Sequence, residues 1–200
     1  MEHHTAAALF ERGRAALGEK RRKHARELFR NALKACGPDD GQELSAAIHV
    51  EIGRVARDLG DNESAVRHYR TAAELFRGLN DPMNLAHALR HVADILRGMR
   101  GAGMDPAEMD PAGMNPAAEA EPFILEAIEI YRAQLPLPQL HLANALRVAA
   151  LLKEQGEGEQ AGSDAEALPL WVEARDLYRA VGVDAGVAES RAHLATAGGA

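Results

Sequence analysis

The chain has 200 residues and a net charge of −7 at pH 7; hydrophobic residues make up 46% of it and aromatic residues only 4%. The apolar fraction is sufficient for a packed core, while the scarcity of β-branched residues and of period-two alternation disfavours a sheet. The acidic balance disfavours non-specific binding to nucleic acid or to an anionic membrane. The single cysteine, Cys36, excludes an intramolecular disulfide and is typical of a reducing compartment.

The first residues, Met-Glu-His-His-Thr, lack the basic region and apolar core of a signal peptide. No apolar run approaches the ~20 residues that a helix needs to cross a bilayer. A composition rich in Ala, Gly and Arg is typical of bacterial proteins. These features predict a soluble protein of the bacterial cytoplasm that has no membrane partner.

Apolar periodicity predicts helix pairs over residues 4–35, 41–79, 82–135 and 137–181, followed by a closing helix over 184–197. The clearest pair is 41–79, which contains the motif Ile52–Asp61, and Gly60-Asp61-Asn62 separates its two helices. One helix pair cannot bury its apolar stripe alone, so neighbouring pairs are expected to stack. The closing helix then covers the apolar face that the last pair would expose.

A triplet of small, large and small residues recurs on the second helix of each pair, with steps of four and three residues. The first helices carry small residues where they would cross their partners: Gly13, Gly53, Ala93 and Ala149, with Leu194-Ala195 as a fifth copy. The triplets are Ala25, Phe29, Ala32; Ala65, Tyr69, Ala72; Ala120, Ile124, Ala127; and Ala167, Trp171, Ala174.

The leading alanines of the triplets are 40, 55 and 47 residues apart, and insertions explain the irregularity. Residues 104–118 are three five-residue copies, Met-Asp-Pro-Ala-Glu, Met-Asp-Pro-Ala-Gly and Met-Asn-Pro-Ala-Ala, and their removal turns 55 into 40. A longer turn at Glu157–Glu166 accounts for most of the step of 47. Because its prolines break both helix and strand, the region 99–118 is expected to be flexible. A methionine-based metal or docking segment is the alternative.

These residues resemble the tetratricopeptide repeat, most densely over residues 49–75. Gly53 is the small residue of the first helix, Gly60-Asp61 is the turn, and Ala65, Tyr69 and Ala72 follow in the order of the family. The unit of about 40 residues is longer than the usual ~34, which resembles the subgroup with extended helices. The chain departs from the family in carrying His49 where an early aromatic is expected, and in lacking the proline after the second helix.

The resemblance implies an all-α, right-handed superhelical solenoid of antiparallel helix pairs in a single domain, with about four pairs and a C-terminal capping helix. Its first helices would line a concave groove that binds a peptide or a partner helix. The chain would then be a protein-interaction scaffold or adaptor, not an enzyme, and it would need no cofactor. The alternatives are self-association, and a regulatory or enzymatic accessory domain that binds a small ligand in the groove.

The exposed positions of the first helices can be identified under this reading. Residues three and four apart share a helix face, and this face is more basic than the whole chain. It predicts an acidic peptide or a terminal carboxylate held by arginines; the alternative is a solvated face with weak ion pairs. The family's carboxylate clamp is not carried over, because its positions hold Val50 and Arg54. The predicted groove residues are Arg54, Arg57, His87, Arg90, Asp94, Arg97 and Lys153.

Three further motifs are weaker. His87 and His91 have a spacing that can seat a metal, but two ligands do not make a site. The basic run Lys20-Arg21-Arg22-Lys23-His24 has no interleaved aromatic residue, so we interpret it as a solvated helix start and expect no nucleic-acid partner. No phosphate loop or catalytic constellation is recognisable. Cys36 is interpreted as a small apolar residue and not as a nucleophile.

Overall fold

The computed structural model describes residues 5–37, 40–101, 116–155 and 163–197, which form nine α-helices and no strand. The prediction of an all-α fold is thereby confirmed for this part of the chain. Two helices lie in each of the four predicted pair ranges, and one lies in the range of the closing helix. The helices are α1 (Ala6–Gly18), α2 (Arg22–Ala35), α3 (Gly41–Asp58), α4 (Asn62–Gly78), α5 (Pro82–Gly101), α6 (Pro116–Arg132), α7 (Gln139–Glu154), α8 (Ser163–Ala180) and α9 (Asp184–Ala197).

The contacts of the chain divide it into two units, Met1–Ile95 and Leu96–Ala200, with the boundary inside α5. In the first unit α1 packs on α2, α2 on α3, and α3 on α4. In the second unit α6 packs on α7, α7 on α8, and α8 on α9. Packing therefore joins helices that are adjacent in the sequence, within each unit. The single domain expected from the sequence stays a prediction.

The same backbone motif ends α1, α3, α4 and α8. In each case one residue takes a positive φ, and the next residue donates its N–H to the carbonyl five residues earlier, as in a Schellman motif. Gly60 and Gly182 adopt this conformation without the steric cost of a Cβ. The residues with positive φ are Lys20, Gly60, Asn80 and Gly182, and the bonds are Arg21 N to Ala16 O (2.9 Å), Asp61 N to Ala56 O (2.9 Å), Asp81 N to Phe76 O (3.0 Å) and Val183 N to Tyr178 O (2.9 Å).

The small–large–small triplets form the buried faces of the second helices. All twelve triplet residues are at most 2% exposed. In the first unit, the ring of Phe29 lies against Gly13, and that of Tyr69 lies against Gly53. The small residue of each of these first helices thus makes room for the large residue of its partner, as the repeat pattern predicts.

The region 99–118, predicted to be a flexible insertion, is helical at both ends. Helix α5 continues to Gly101 and α6 begins at Pro116. The rest of the insertion, 102–115, lies outside the described residues, as does the segment 156–162 of the second lengthened turn. Within the described part of the chain, no helix is both long and apolar enough to span a bilayer.

Candidate functional site

The first unit contains an open groove of about 390 Å³ between helices α1 and α3, the end of α4 and the start of α5. Its floor is apolar. The ring of Phe10 on the floor packs on the core residue Phe29, with 5.7 Å between ring centroids, so the floor is continuous with the core. The floor residues are Phe10, Ala47, Val50, Phe76 and Leu79.

The rim of the groove is polar and carries three carboxylates but one guanidinium. Its residues are Arg14, Glu43, Glu51, Asp81 and Asn84. Asp81 caps α5, since it accepts hydrogen bonds from the backbone N–H of Asn84 at 3.1 Å and from its side-chain amide at 2.7 Å. Glu43 is exposed, and no ion-pair partner is found for it in the described part of the chain. The rim is therefore acidic.

Arg54 and Arg57, the predicted groove residues on α3, lie outside this groove and contact neighbouring side chains. Arg54 donates to Glu51 Oε2 from Nε at 2.8 Å and from Nη2 at 2.5 Å. Arg57 contacts Asp58 Oδ1 at 3.4 Å and His91 Nδ1 at 3.3 Å. Neither residue lines the groove of about 390 Å³. Arg54 does, however, neutralise one of the three rim carboxylates.

His91 is held between two guanidinium groups and an aromatic ring. Its ring stacks on Tyr69 with 4.9 Å between centroids, and its Nε2 lies 3.1 Å from Arg90 Nη2. Burial, with the positive charges of Arg90 and Arg57, lowers the pKa of His91 to about 2. A neutral imidazole has one free lone pair, so in either tautomer His91 accepts from Arg57 or from Arg90, not from both. That lone pair is used within the protein, which argues against the two-histidine metal spacing with His87.

The other predicted groove residues of α5 are partly buried: His87, Arg90, Asp94 and Arg97. None of them lines the groove described above. In the second unit, Arg97 adds positive charge near Glu189. The pKa of Glu189 is lowered chiefly by two hydrogen bonds from Arg147, each 2.7 Å long.

Lys153, the last predicted groove residue, belongs to the second unit and joins three helices. Its Nζ lies 2.6 Å from Glu121 Oε1 on α6 and 2.9 Å from Glu166 Oε2 on α8. These hydrogen bonds raise the pKa of the lysine. Lys153 therefore has an evident role in tying α7 to its neighbours.

A second histidine pair joins α3 to α4. The Nδ1 atoms of His49 and His68 are 3.0 Å apart, so one neutral ring donates to the other. Burial, followed by the effect of His49, lowers the pKa of His68 to about 4. Among the described residues, no group of three or more His, Cys, Asp and Glu side chains is placed to hold a metal ion.

The basic residues at the start of α2 and Cys36 make contacts within the first unit. Arg22 lies 3.6 Å from Asp58 and Arg26 lies 3.5 Å from Asp61, at the turn between α3 and α4. Cys36 ends α2 and packs against the core of the first unit. Burial raises the pKa of its thiol, which disfavours the nucleophilic thiolate.

The predicted set did not contain the floor of the groove, although a signal for it exists. Phe10 and Val50 each lie three residues before the small residue of their helix, Gly13 and Gly53. Both are only partly buried, whereas the third repeat has Arg90 at this position and the fourth has the buried Leu146. A partly exposed apolar residue at this position of the first two repeats is the feature that indicates a floor.

The comparisons with known proteins concern the fold. No protein-family model matches the chain, and no match is found among curated proteins. Among solved structures, the chain is similar to BtubC (BKLC) from P. vanneervenii, with a TM-score of 0.54 and 16% sequence identity, over 98% of this chain and 83% of that chain. At this identity the likeness concerns the fold alone.

Proposed function

We propose that this chain is a helical-repeat scaffold of the tetratricopeptide type, a right-handed solenoid that binds a peptide or a partner helix and performs no catalysis. Its binding site is the groove between α1 and α3. The lone, partly buried cysteine and the composition favour a bacterial cytoplasmic location.

The observation that carries this proposal is the apolar floor of the groove. Four of its five residues are only partly buried, whereas the triplet residues of the same helix pairs are at most 1% exposed. Fully burying one Leu, Val or Phe side chain of a partner contributes about 1.5–3 kcal/mol. An amphipathic helix or extended peptide that inserts such anchors is a recurring way for a protein to use a groove. The packing of helices on their sequence neighbours supports a helical-repeat architecture, and the likeness to BtubC supports the all-α fold.

The experiment fills the groove without altering the rest of the surface. Ala47→Trp places a large ring on the floor, and Glu74→Trp adds the same bulk to an exposed position of α4 outside the groove. Affinity capture from native lysate with quantitative mass spectrometry compares both with the wild type. We expect proteins captured by the wild type and Glu74→Trp to be lost with Ala47→Trp. An identical set from all three would refute groove binding.

A small-ligand function is the second candidate, because the volume of about 390 Å³ falls within the ~300–1,000 Å³ of small-molecule sites. In that case a metabolite, and not a peptide, would raise the melting temperature of the wild type. Thermal-shift screening of a metabolite library against the wild type and Ala47→Trp separates the two functions. Stabilisation specific to the wild type would favour the ligand.

A further inference from the structure

We propose that the groove between α1 and α3 selects a cationic amphipathic peptide, in which a large apolar side chain is flanked by Lys or Arg. This inference rests on the proposed function, since it names the partner chemistry of the same groove. It reverses the charge expected from the sequence, where exposed arginines of the first helices predicted an acidic partner.

The apolar requirement comes from the shape of the floor. Phe10 on α1 and Val50 on α3 face one cavity, and Phe76 and Leu79 at the end of α4 close it. A polar anchor inserted there would lose its water without gaining a partner, because the floor side chains carry no donor or acceptor. A large apolar anchor gains contact with α1, α3 and α4 at once.

The cationic requirement comes from the rim carboxylates that are not neutralised by an ion pair with a neighbouring side chain. On the rim, Glu51 is neutralised by Arg54, and Arg14 lies 3.4 Å from Glu11. Glu43 and Asp81 are left. Asp81 is hydrogen-bonded to Asn84, which is neutral and does not offset a carboxylate charge. Two carboxylates, on α3 and at the start of α5, therefore border the apolar floor.

An acidic partner would meet like charge at this rim. The guanidinium of Arg54 is committed to Glu51, and that of Arg57 faces Asp58 and His91. Like-charge juxtaposition is unfavourable, whereas an opposite charge speeds encounter and selects the partner. A Lys or Arg on either side of the apolar anchor satisfies both Glu43 and Asp81.

The test is selection of random 12-residue peptides, displayed on phage, on the immobilised full chain, with counter-selection on Ala47→Trp. We expect the recovered sequences to carry a net positive charge and a large apolar residue. Recovered sequences that are neutral or acidic, and that still depend on Ala47, would overturn the charge inference while leaving the proposed function intact. If no sequence distinguishes the wild type from Ala47→Trp, both the inference and groove binding by peptides fail.

A second variant separates local attraction from net charge. Glu43 is exposed, so Glu43→Lys is expected to fold, and Glu74→Lys makes the same charge change on α4 outside the groove. For a recovered peptide, Glu43→Lys should weaken binding about three- to tenfold and Glu74→Lys less than about twofold, measured by fluorescence anisotropy. Equal effects of the two variants would contradict recognition by the rim.

Discussion

At the scale of single residues, the space beside each glycine determines what the position tolerates. A Cβ added at Gly13 would lie 2.4 Å from the ring of Phe29, and one added at Gly186 would lie 2.5 Å from the ring of Tyr178. A Cβ at Gly53 would lie 3.0 Å from Tyr69, a tight but less severe contact. A Cβ added at Gly98 would meet no packing neighbour within 4 Å. Glycine is thus required for close helix packing at some positions and not at others.

Gly13→Ala should therefore lower the free energy of unfolding by about 1–3 kcal/mol, because the methyl group overlaps the Phe29 ring. Gly98→Ala, inside α5 and exposed, should raise it by about 0.5–1 kcal/mol through helix propensity. Urea denaturation of both variants gives the two values. A change of the same sign in both would contradict the packing argument.

Trp171 is the largest fully buried side chain, and it connects three helices. Its indole N–H donates to Glu154 Oε1 on α7 at 2.6 Å, and its ring stacks on His193 of α9 with 4.2 Å between centroids. We expect Trp171→Ala to cost about 3–5 kcal/mol, because it opens a cavity and leaves Glu154 without this donor. Thermal and urea unfolding monitored by circular dichroism test this; a loss below about 1 kcal/mol would refute the assigned packing.

The histidines predict a pH dependence of stability. The pKa of His68 is about 4 in the folded protein, against an ordinary value of 6.5. Between these values the unfolded chain binds more protons, so stability is complete above pH 6.5 and falls as the pH drops towards 4. The slope for His68 is at most about 1.4 kcal/mol per pH unit, reduced by solvent screening of the partly exposed ring.

Urea denaturation of the wild type and His68→Gln at intervals from pH 8 to pH 4 measures this effect. The variant should lose less stability than the wild type between pH 6.5 and pH 4. A residual slope is expected in the variant, because burial also lowers the pKa values of His49 and His91. Identical slopes for the two proteins would show that the environment of His68 is not the cause.

At the scale of helices, the connections between elements differ in length and in backbone conformation. Short turns with one residue of positive φ end α1, α3, α4 and α8. These turns fix the direction of the next helix through the backbone, and Asp61 and Asp81 then cap α4 and α5. The connections between α5 and α6 and between α7 and α8 are longer. The short turns therefore tolerate less change than the long ones.

Deletion of one five-residue copy, residues 104–108, should leave unfolding cooperative, because both α5 and α6 remain complete and nine residues still connect them. The free energy of unfolding should change by less than about 1 kcal/mol, since loop-closure entropy depends weakly on length. Gly60→Val, in a short turn with φ of 78°, should cost about 1–2 kcal/mol in comparison. Differential scanning calorimetry distinguishes the outcomes; loss of cooperative melting in the deletion would show that the segment supports the fold.

At the scale of the whole molecule, helices pack on their sequence neighbours within each of the two units. In such an arrangement, stability is close to a sum of local and nearest-neighbour contributions. Gly13→Ala should then increase amide hydrogen exchange most in α1 and α2, less in α3, and least in α8 and α9. Exchange measured by mass spectrometry tests this order. A uniform increase along the chain would indicate a single cooperative unit.

The groove shows which features of a site can be predicted from residue spacing and which cannot. The sequence predicts that Val50 and Arg54 lie on the first helix of a pair, four residues apart. Spacing cannot show that Arg54 bends back to Glu51, nor that Val50 meets Phe10 of α1 and Phe76 of α4 across a cavity. Side-chain partners that lie 26 or more residues away in sequence are brought together only by packing.

The sequence by itself determined the helices, their turns and the buried triplets, because helical periodicity, glycine conformation and side-chain size act over a few residues. Only the tertiary structure decided the character of the groove. The charge of a surface depends on which ionised groups neutralise one another and which are left over. Glu43 and Asp81 remain at the rim, while Arg54, Arg57 and Lys153 are engaged by neighbouring groups. Arg54 and Arg57, which predict a basic face along the chain, do not line this groove, whose floor is apolar and whose rim is acidic.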